Sequence, residues 1–398
     1  MPEPKAPHLF HPALSGIHAL RRNFIHPTPM NLKHCLCLLA AALPALGEIA
    51  YDLVPNFIQP PAGRETIGNG HGEIAVDSQG RIYVSVQEND AGIQVYGSDG
   101  RFIKALKLPG SLHGFVVRKD GDGEFIFAAV LGEAKVIKTT LEGKVVLEIP
   151  TSAFPAQQRD FVTVTKASGK KDGRGRPQQL PIASGVRIAQ DNKSITLQLA
   201  DGSQKVIAKE PGVSAGGGLK LTNCDVAPNG DIYVVDGYGR SHIFVFDSKG
   251  NFKRVFGGPD KPYGFANTHK IFIDRRFEPA RVFCCDRGNK RLVHTDLDGN
   301  LIGVIATDLR NPSSASFHGD LVCIAEIAGR VSVWDKEGKM VAECGTNPKT
   351  TNTPGIAPKD WQQGIVTSPH GISFDNQGNI LETEWNQWGR VLRFDRRK

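Results

Sequence analysis

A glycine recurs at Gly100, Gly143, Gly250, Gly299 and Gly338, each closing a polar turn between two apolar, alternating segments. The steps are 43, 107, 49 and 39 residues, and the long one contains some 65 residues of different character, 151–215. Without that stretch every step is a unit of roughly 40–45 residues, the spacing of a four-stranded meander. One meander cannot bury both of its faces, so such units must stack and share a core. The unit can be read at both ends of the chain. His71-Gly72-Glu73-Ile74-Ala75-Val76-Asp77 leads through Gly80 to Arg81-Ile82-Tyr83-Val84-Ser85-Val86, and His370-Gly371-Ile372-Ser373-Phe374-Asp375 leads through Gly378 to Asn379-Ile380-Leu381-Glu382-Thr383-Glu384.

Six units follow, near 71–110, 112–150, 216–257, 264–306, 311–345 and 368–398. The sixth stops after three strands. Tyr51–Phe57 precedes the first unit and is expected to supply the missing strand, closing the units into a ring with no free edge. The expected fold is all-β, a six-bladed β-propeller. Residues 151–215 are expected as a surface excursion, with 168–173 loop-like and a hairpin around Asp201-Gly202. Residues 346–367 read as a second long loop.

The N-terminal segment has another pattern. Met30 opens a short basic stretch, an apolar run from Cys35 to Leu43 and a small-residue exit at Ala45-Leu46-Gly47. That is the layout of a secretory signal peptide, too short for a membrane anchor. Residues 1–47 are therefore expected to be an extension preceding Met30 plus a signal peptide, leaving a secreted or periplasmic chain over 48–398. The leader holds +3 of the +7 formal charge. The remaining +4 gives no nucleic-acid footprint. Cys224, Cys284, Cys285, Cys323 and Cys344 stay behind with irregular spacing and read as buried small hydrophobes.

The innermost strand of each propeller unit lines the central channel. His71, His113, His269 and His370 each stand near the start of such a strand, in units 1, 2, 4 and 6. His113, His269 and His370 fall on alternate units and would converge on the axis as a zinc site with an open position. The plainer reading is that His-Gly is a turn preference, and His71 in unit 1 supports it. Units 3 and 4 add Asp236-Gly237-Tyr238-Gly239-Arg240-Ser241 and Asp286-Arg287-Gly288-Asn289, turns that face one end of the channel.

The repeats resemble NHL repeats over residues 71–398. Units 3 and 4, with His269 between them, resemble more closely the peptidyl-α-hydroxyglycine α-amidating lyases. The resemblance implies zinc held by His113, His269 and His370, with Tyr238 as base and Arg287 binding the substrate carboxylate or tuning the tyrosine. It implies cleavage of a carbon–nitrogen bond to give a peptide amide and glyoxylate. The expected partner is a small peptide-like or hydroxy-acid substrate in the channel of a monomer. Two departures stand out: Gly239 replaces the usual Cys, and Gly371 replaces an Asp that contributes to a calcium site, which speaks against calcium. Two other readings remain open: a non-enzymatic propeller binding a protein, peptide or glycan, and a lactonase-like propeller. The His-rich channel argues against the second.

Overall fold

The computed structural model describes residues 49–88, 91–172, 175–351 and 353–398. The expected leader lies outside the described residues. Gly100, Gly143, Gly250, Gly299 and Gly338 all have φ between +79° and +97°. Each closes a hairpin at a conformation where a side chain would be strained, which is why the repeat is marked by glycine.

The described chain forms six four-stranded antiparallel sheets and one of five strands. In each of the six, every strand pairs with its neighbour along a meander. The first strands are Ile74–Val76, Leu112–Asp120, Asn223–Val226, Thr268–Asp274, Pro312–His318 and Pro369–Phe374. They touch one another in that cyclic order, and the last touches the first, so the sheets form a closed ring around a channel. This is a β-propeller. Burial falls from the inside outward: the second strands are almost wholly buried, whereas Ile103, Val145, Phe252, Leu301 and Met340, all on fourth strands, are exposed.

Tyr51–Val54 supplies the fourth strand of the last sheet, running antiparallel to Val391–Arg396 from Tyr51 opposite Arg396 to Val54 opposite Arg393. The Arg397 guanidinium donates to Asp52 at 2.6 and 2.8 Å beside this seam. Strands from near the two ends of the described chain thus share one sheet.

Residues 151–215 are more than a loop with a hairpin. The hairpin is present, pairing Ser194–Gln198 with Gln204–Ala208. It belongs to a five-stranded sheet with Phe161–Lys171, Pro177–Gln190 and Val213–Gly217. Val162, Val164, Ile195, Leu197 and Ile207 form its own small core. The stretch expected to be a loop is instead strand as far as Lys171, carried by its cross-strand partner although its own Ser-Gly-Lys-Lys composition disfavours strand. Phe154 pins the entrance to this sheet, packing edge-on against Phe244 and Phe246 of the third propeller sheet.

The five cysteines are buried free thiols, and no disulfide is formed among the described residues. Glu382 is a buried acid in the core of the last sheet. It is fully buried, and neither carboxylate oxygen has a hydrogen-bond partner. Burial pushes its carboxyl well above the ordinary value, with Glu384 adding to the rise. A raised acid stabilises the fold below its unfolded pKa, and that contribution is lost as pH climbs through the folded value. Glu382→Met is therefore expected to raise stability by about 1–3 kcal/mol at alkaline pH and by less near pH 4. Urea melts at the two pH values check this, and an equal effect at both would contradict it.

Candidate functional site

Three of the first strands carry a β-bulge at a histidine. The register slips between Leu112 and Gly114, between Thr268 and Lys270, and between Pro369 and Gly371. The extra residue is His113, His269 or His370. A bulged residue is released from the alternation of the strand, so its side chain can be turned toward the axis. Each imidazole is then held by the next sheet of the ring. Nδ1 of His113 donates to the Thr222 carbonyl at 2.8 Å, His269 to Ser313 at 2.7 Å and His370 to Gly72 at 2.7 Å. Even-numbered sheets supply imidazoles and odd-numbered ones supply carbonyls. A carbonyl only accepts, so Nδ1 carries the proton and Nε2 presents a lone pair.

A second repeated device fixes the entrance to the first strands of the third, fourth and sixth sheets. A buried carboxylate at the end of the second strand accepts a backbone N–H from the segment leading into the first. Asp236 takes Lys220 N at 2.6 Å, Asp286 takes Ala266 N at 2.9 Å, and Glu384 takes Thr367 N. In the third sheet the same carboxylate also accepts Arg240 N at 2.9 Å, closing the turn that bears Tyr238. Gly237 in that turn allows close approach: a Cβ there would sit 2.3 Å from Thr222 Oγ1 and 2.6 Å from the Thr268 carbonyl.

The turn delivers the Tyr238 hydroxyl into the imidazole cluster. It lies 3.2 Å from His113 Nε2, 3.0 Å from His269 Nε2 and 3.3 Å from His71 Nε2. His71 Nδ1 faces the side-chain oxygen of Gln87 at 3.3 Å, which makes its Nε2 an acceptor as well. His370 Nε2 is buried without a hydrogen-bond partner. One phenolic proton therefore faces four acceptor nitrogens. Such a donor deficit in a buried place is costly unless water or a cation supplies the missing partners. Borderline-soft divalent metals, zinc among them, take neutral imidazole in this way, with the far nitrogen held by a backbone carbonyl. The residues present fit zinc on this ground.

Electrostatics agree with a set of neutral imidazoles. Burial holds His113, His269 and His370 well below the ordinary histidine value, and His71 is lowered to about 4 by the same cause. Burial raises the Tyr238 phenol, while the Arg287 guanidinium opposes that rise. Arg287 lies 5.3 Å from the Tyr238 ring and donates through Nε to Asn267 Oδ1 at 3.1 Å. His71, Tyr238, Asn267, Arg287, Asn311 and Trp385 border a cavity of about 710 Å³ above the cluster.

All five residues expected at the site, His113, Tyr238, His269, Arg287 and His370, meet in one place. The three side chains whose ligand nitrogens lie within 4.8 Å of one another are His71, His113 and His370. His269 stands beside them, its ring centroid 4.7 Å from that of His370 and 5.1 Å from that of His113. His71, first read as evidence for a turn preference, thus belongs to the cluster. Sequence reasoning passed over Trp385, whose ring centroid lies 5.4 Å from that of His71. Its signal was positional: it follows Glu384 as Gly237 follows Asp236 and Arg287 follows Asp286. Position 371, where Gly stands in place of the calcium-site Asp, has no room for a side chain: a Cβ there would meet Glu73 Oε1 at 2.6 Å.

No family model and no curated protein matches the chain. Among solved structures it is similar to a streptogramin B lyase, at 12% identity and a TM-score of 0.50 over 88% of this chain and 98% of that one. It is also similar to virginiamycin B lyase from Staphylococcus aureus, at 13% identity and a TM-score of 0.47 over 87% of this chain and 99% of that one. At such identity the likeness supports the propeller fold alone.

The dependence of the site on the neighbouring sheet gives a test. A Cβ at Gly114 would lie 2.2 Å from the Thr222 carbonyl oxygen that anchors His113. Gly114→Ala is expected to cost about 1–3 kcal/mol in chemical denaturation. Unchanged stability would show that the third sheet yields freely.

Proposed function

We propose that this chain is a secreted, six-bladed NHL-type propeller with a metal-dependent lyase site. The observation that carries the reading is the convergence of four acceptor imidazoles and one phenol at the floor of a cavity that also exposes a guanidinium. His113, His269 and His370 would hold zinc, with His71 adjoining them. When bound, zinc would act as a Lewis acid that lowers the pKa of a substrate hydroxyl.

The substrate that the site suits best is a peptidyl-α-hydroxyglycine, as the amidating-lyase resemblance implies. Arg287, whose guanidinium borders the cavity while its Nε donates to Asn267, would hold its carboxylate. Tyr238 takes the hydroxyl proton. The carbon–oxygen double bond of glyoxylate forms as the carbon–nitrogen bond breaks, and the departing amide nitrogen receives the proton. For Tyr238 to act as base its phenol must ionise, and burial opposes this. Arg287 counters burial by favouring phenolate, so it serves two purposes at once.

Zinc content of the purified protein, and glyoxylate release from a peptidyl-α-hydroxyglycine with and without chelator, test the reading. Virginiamycin B, named in the similar structures, is the second compound to offer. Bound zinc without turnover of either compound would favour the alternative, a propeller that binds a protein, peptide or glycan without chemistry.

Two variants separate the roles. Tyr238→Phe is expected to lower kcat by about 10²–10⁴-fold while zinc content stays unchanged. Unaltered kcat removes Tyr238 from proton transfer. Arg287→Met removes the charge that opposes burial, so the alkaline-rising limb of the rate profile should move to higher pH. A profile that falls in height without moving would leave Arg287 a carboxylate-binding role only.

A further inference from the structure

Beside the imidazoles lies a second polar site, which shares the Gly72 carbonyl with His370. Lys270 follows His269 on the first strand of the fourth sheet and is fully buried. Its ammonium donates to Glu73 Oε2 at 2.8 Å, to the Gly72 carbonyl at 3.2 Å and to the His370 carbonyl at 3.2 Å. Glu73 is saturated from every side. Ser314 Oγ donates to Oε2 at 2.7 Å, and Ile372 N and Ile74 N donate to Oε1 at 2.9 and 3.1 Å. Strands of the first, fourth, fifth and sixth sheets thus meet at one point.

Without the ammonium, this is a cage of hard oxygen donors: a carboxylate, two carbonyls and a hydroxyl. Hard cations such as calcium take that set, and the imidazoles above are poor ligands for them. The cage is reached from the far mouth of the channel, because Glu73 also borders a cavity of about 350 Å³ on that side. Gly371 keeps it open, since any side chain there would displace Glu73.

We propose that the Lys270 ammonium is a built-in cation: it fills an oxygen cage that would otherwise take a metal ion and ties opposite sheets together across the axis. The tether reaches from the fourth sheet to the first and sixth, so the ring is pinned across its diameter as well as around its rim. A covalently attached cation needs no supply from solution, and the ring is therefore closed without calcium.

The test is the thermal midpoint of the full chain with and without millimolar calcium chloride. The native protein should melt at the same temperature in both, and a calcium-dependent rise would overturn the proposal. Lys270→Ala vacates the cage and leaves Glu73 buried and unpaired, so its midpoint should fall by about 5 °C or more without calcium. Calcium should then restore a large part of the loss. A variant that ignores calcium overturns the proposal. If Lys270→Ala does not fold alone, refolding in calcium decides the matter: recovery supports the cage, and failure in both conditions refutes it. None of these readings depends on zinc or on turnover, so the lyase reading stands or falls separately.

Discussion

The hydrogen bond from each axial imidazole to the backbone of the next sheet couples the ring to the site. His113, His269 and His370 are each anchored through Nδ1 to a carbonyl that belongs to a different sheet. Ring geometry therefore sets imidazole geometry. A sheet that rotates or slides moves a carbonyl, and the imidazole leaning on it must follow. The same bond settles the tautomer, so every Nε2 faces the axis as an acceptor without any further group being needed. The bulges make this possible by taking the histidine out of the ladder. At His269 and His370, buried Asp286 and Glu384 also fix the backbone just before the bulge.

Much of this was legible in the sequence because it rests on local rules. The turn glycines mark the units because a positive φ is needed at each hairpin. The alternation of His113, His269 and His370 is a matter of counting units, and the pairing of Tyr51–Val54 with the last strand follows from a unit that stops one strand short. What stayed hidden is long-range. Glu73 and Lys270 are 197 residues apart and share no motif, so nothing local announces that one charge will neutralise the other. His71 looks like a turn residue in the sequence because it falls in unit 1, outside the alternation of His113, His269 and His370, and nothing local ties it to its partner Gln87. The insert was read from composition, whereas its long strands are sustained by pairing with one another.

The channel holds two cationic requirements in series, and they are met differently. At mid-channel a single carboxylate faces a single ammonium, so the charges balance within the chain. At the imidazoles there is no carboxylate and only one hydroxyl proton among four acceptor nitrogens. A fixed side-chain cation suits the first place, where strength and permanence serve the ring. In the second, the proposed metal would need an open position for a substrate oxygen, which a fixed side-chain cation cannot provide.

The positive charge of Lys270 also acts on the imidazoles above it, adding to burial in disfavouring their protonation. Protonated imidazoles would relieve the shortage of donors by supplying their own hydrogens, and the cluster would then have no need of a metal. Burial and the buried ammonium together close that route. The shortage is thus preserved down to the low pH at which His71 titrates, about 4. The divalent ion proposed above would satisfy several converging lone pairs at once, and the Tyr238 hydroxyl lies within hydrogen-bond reach of the same nitrogens.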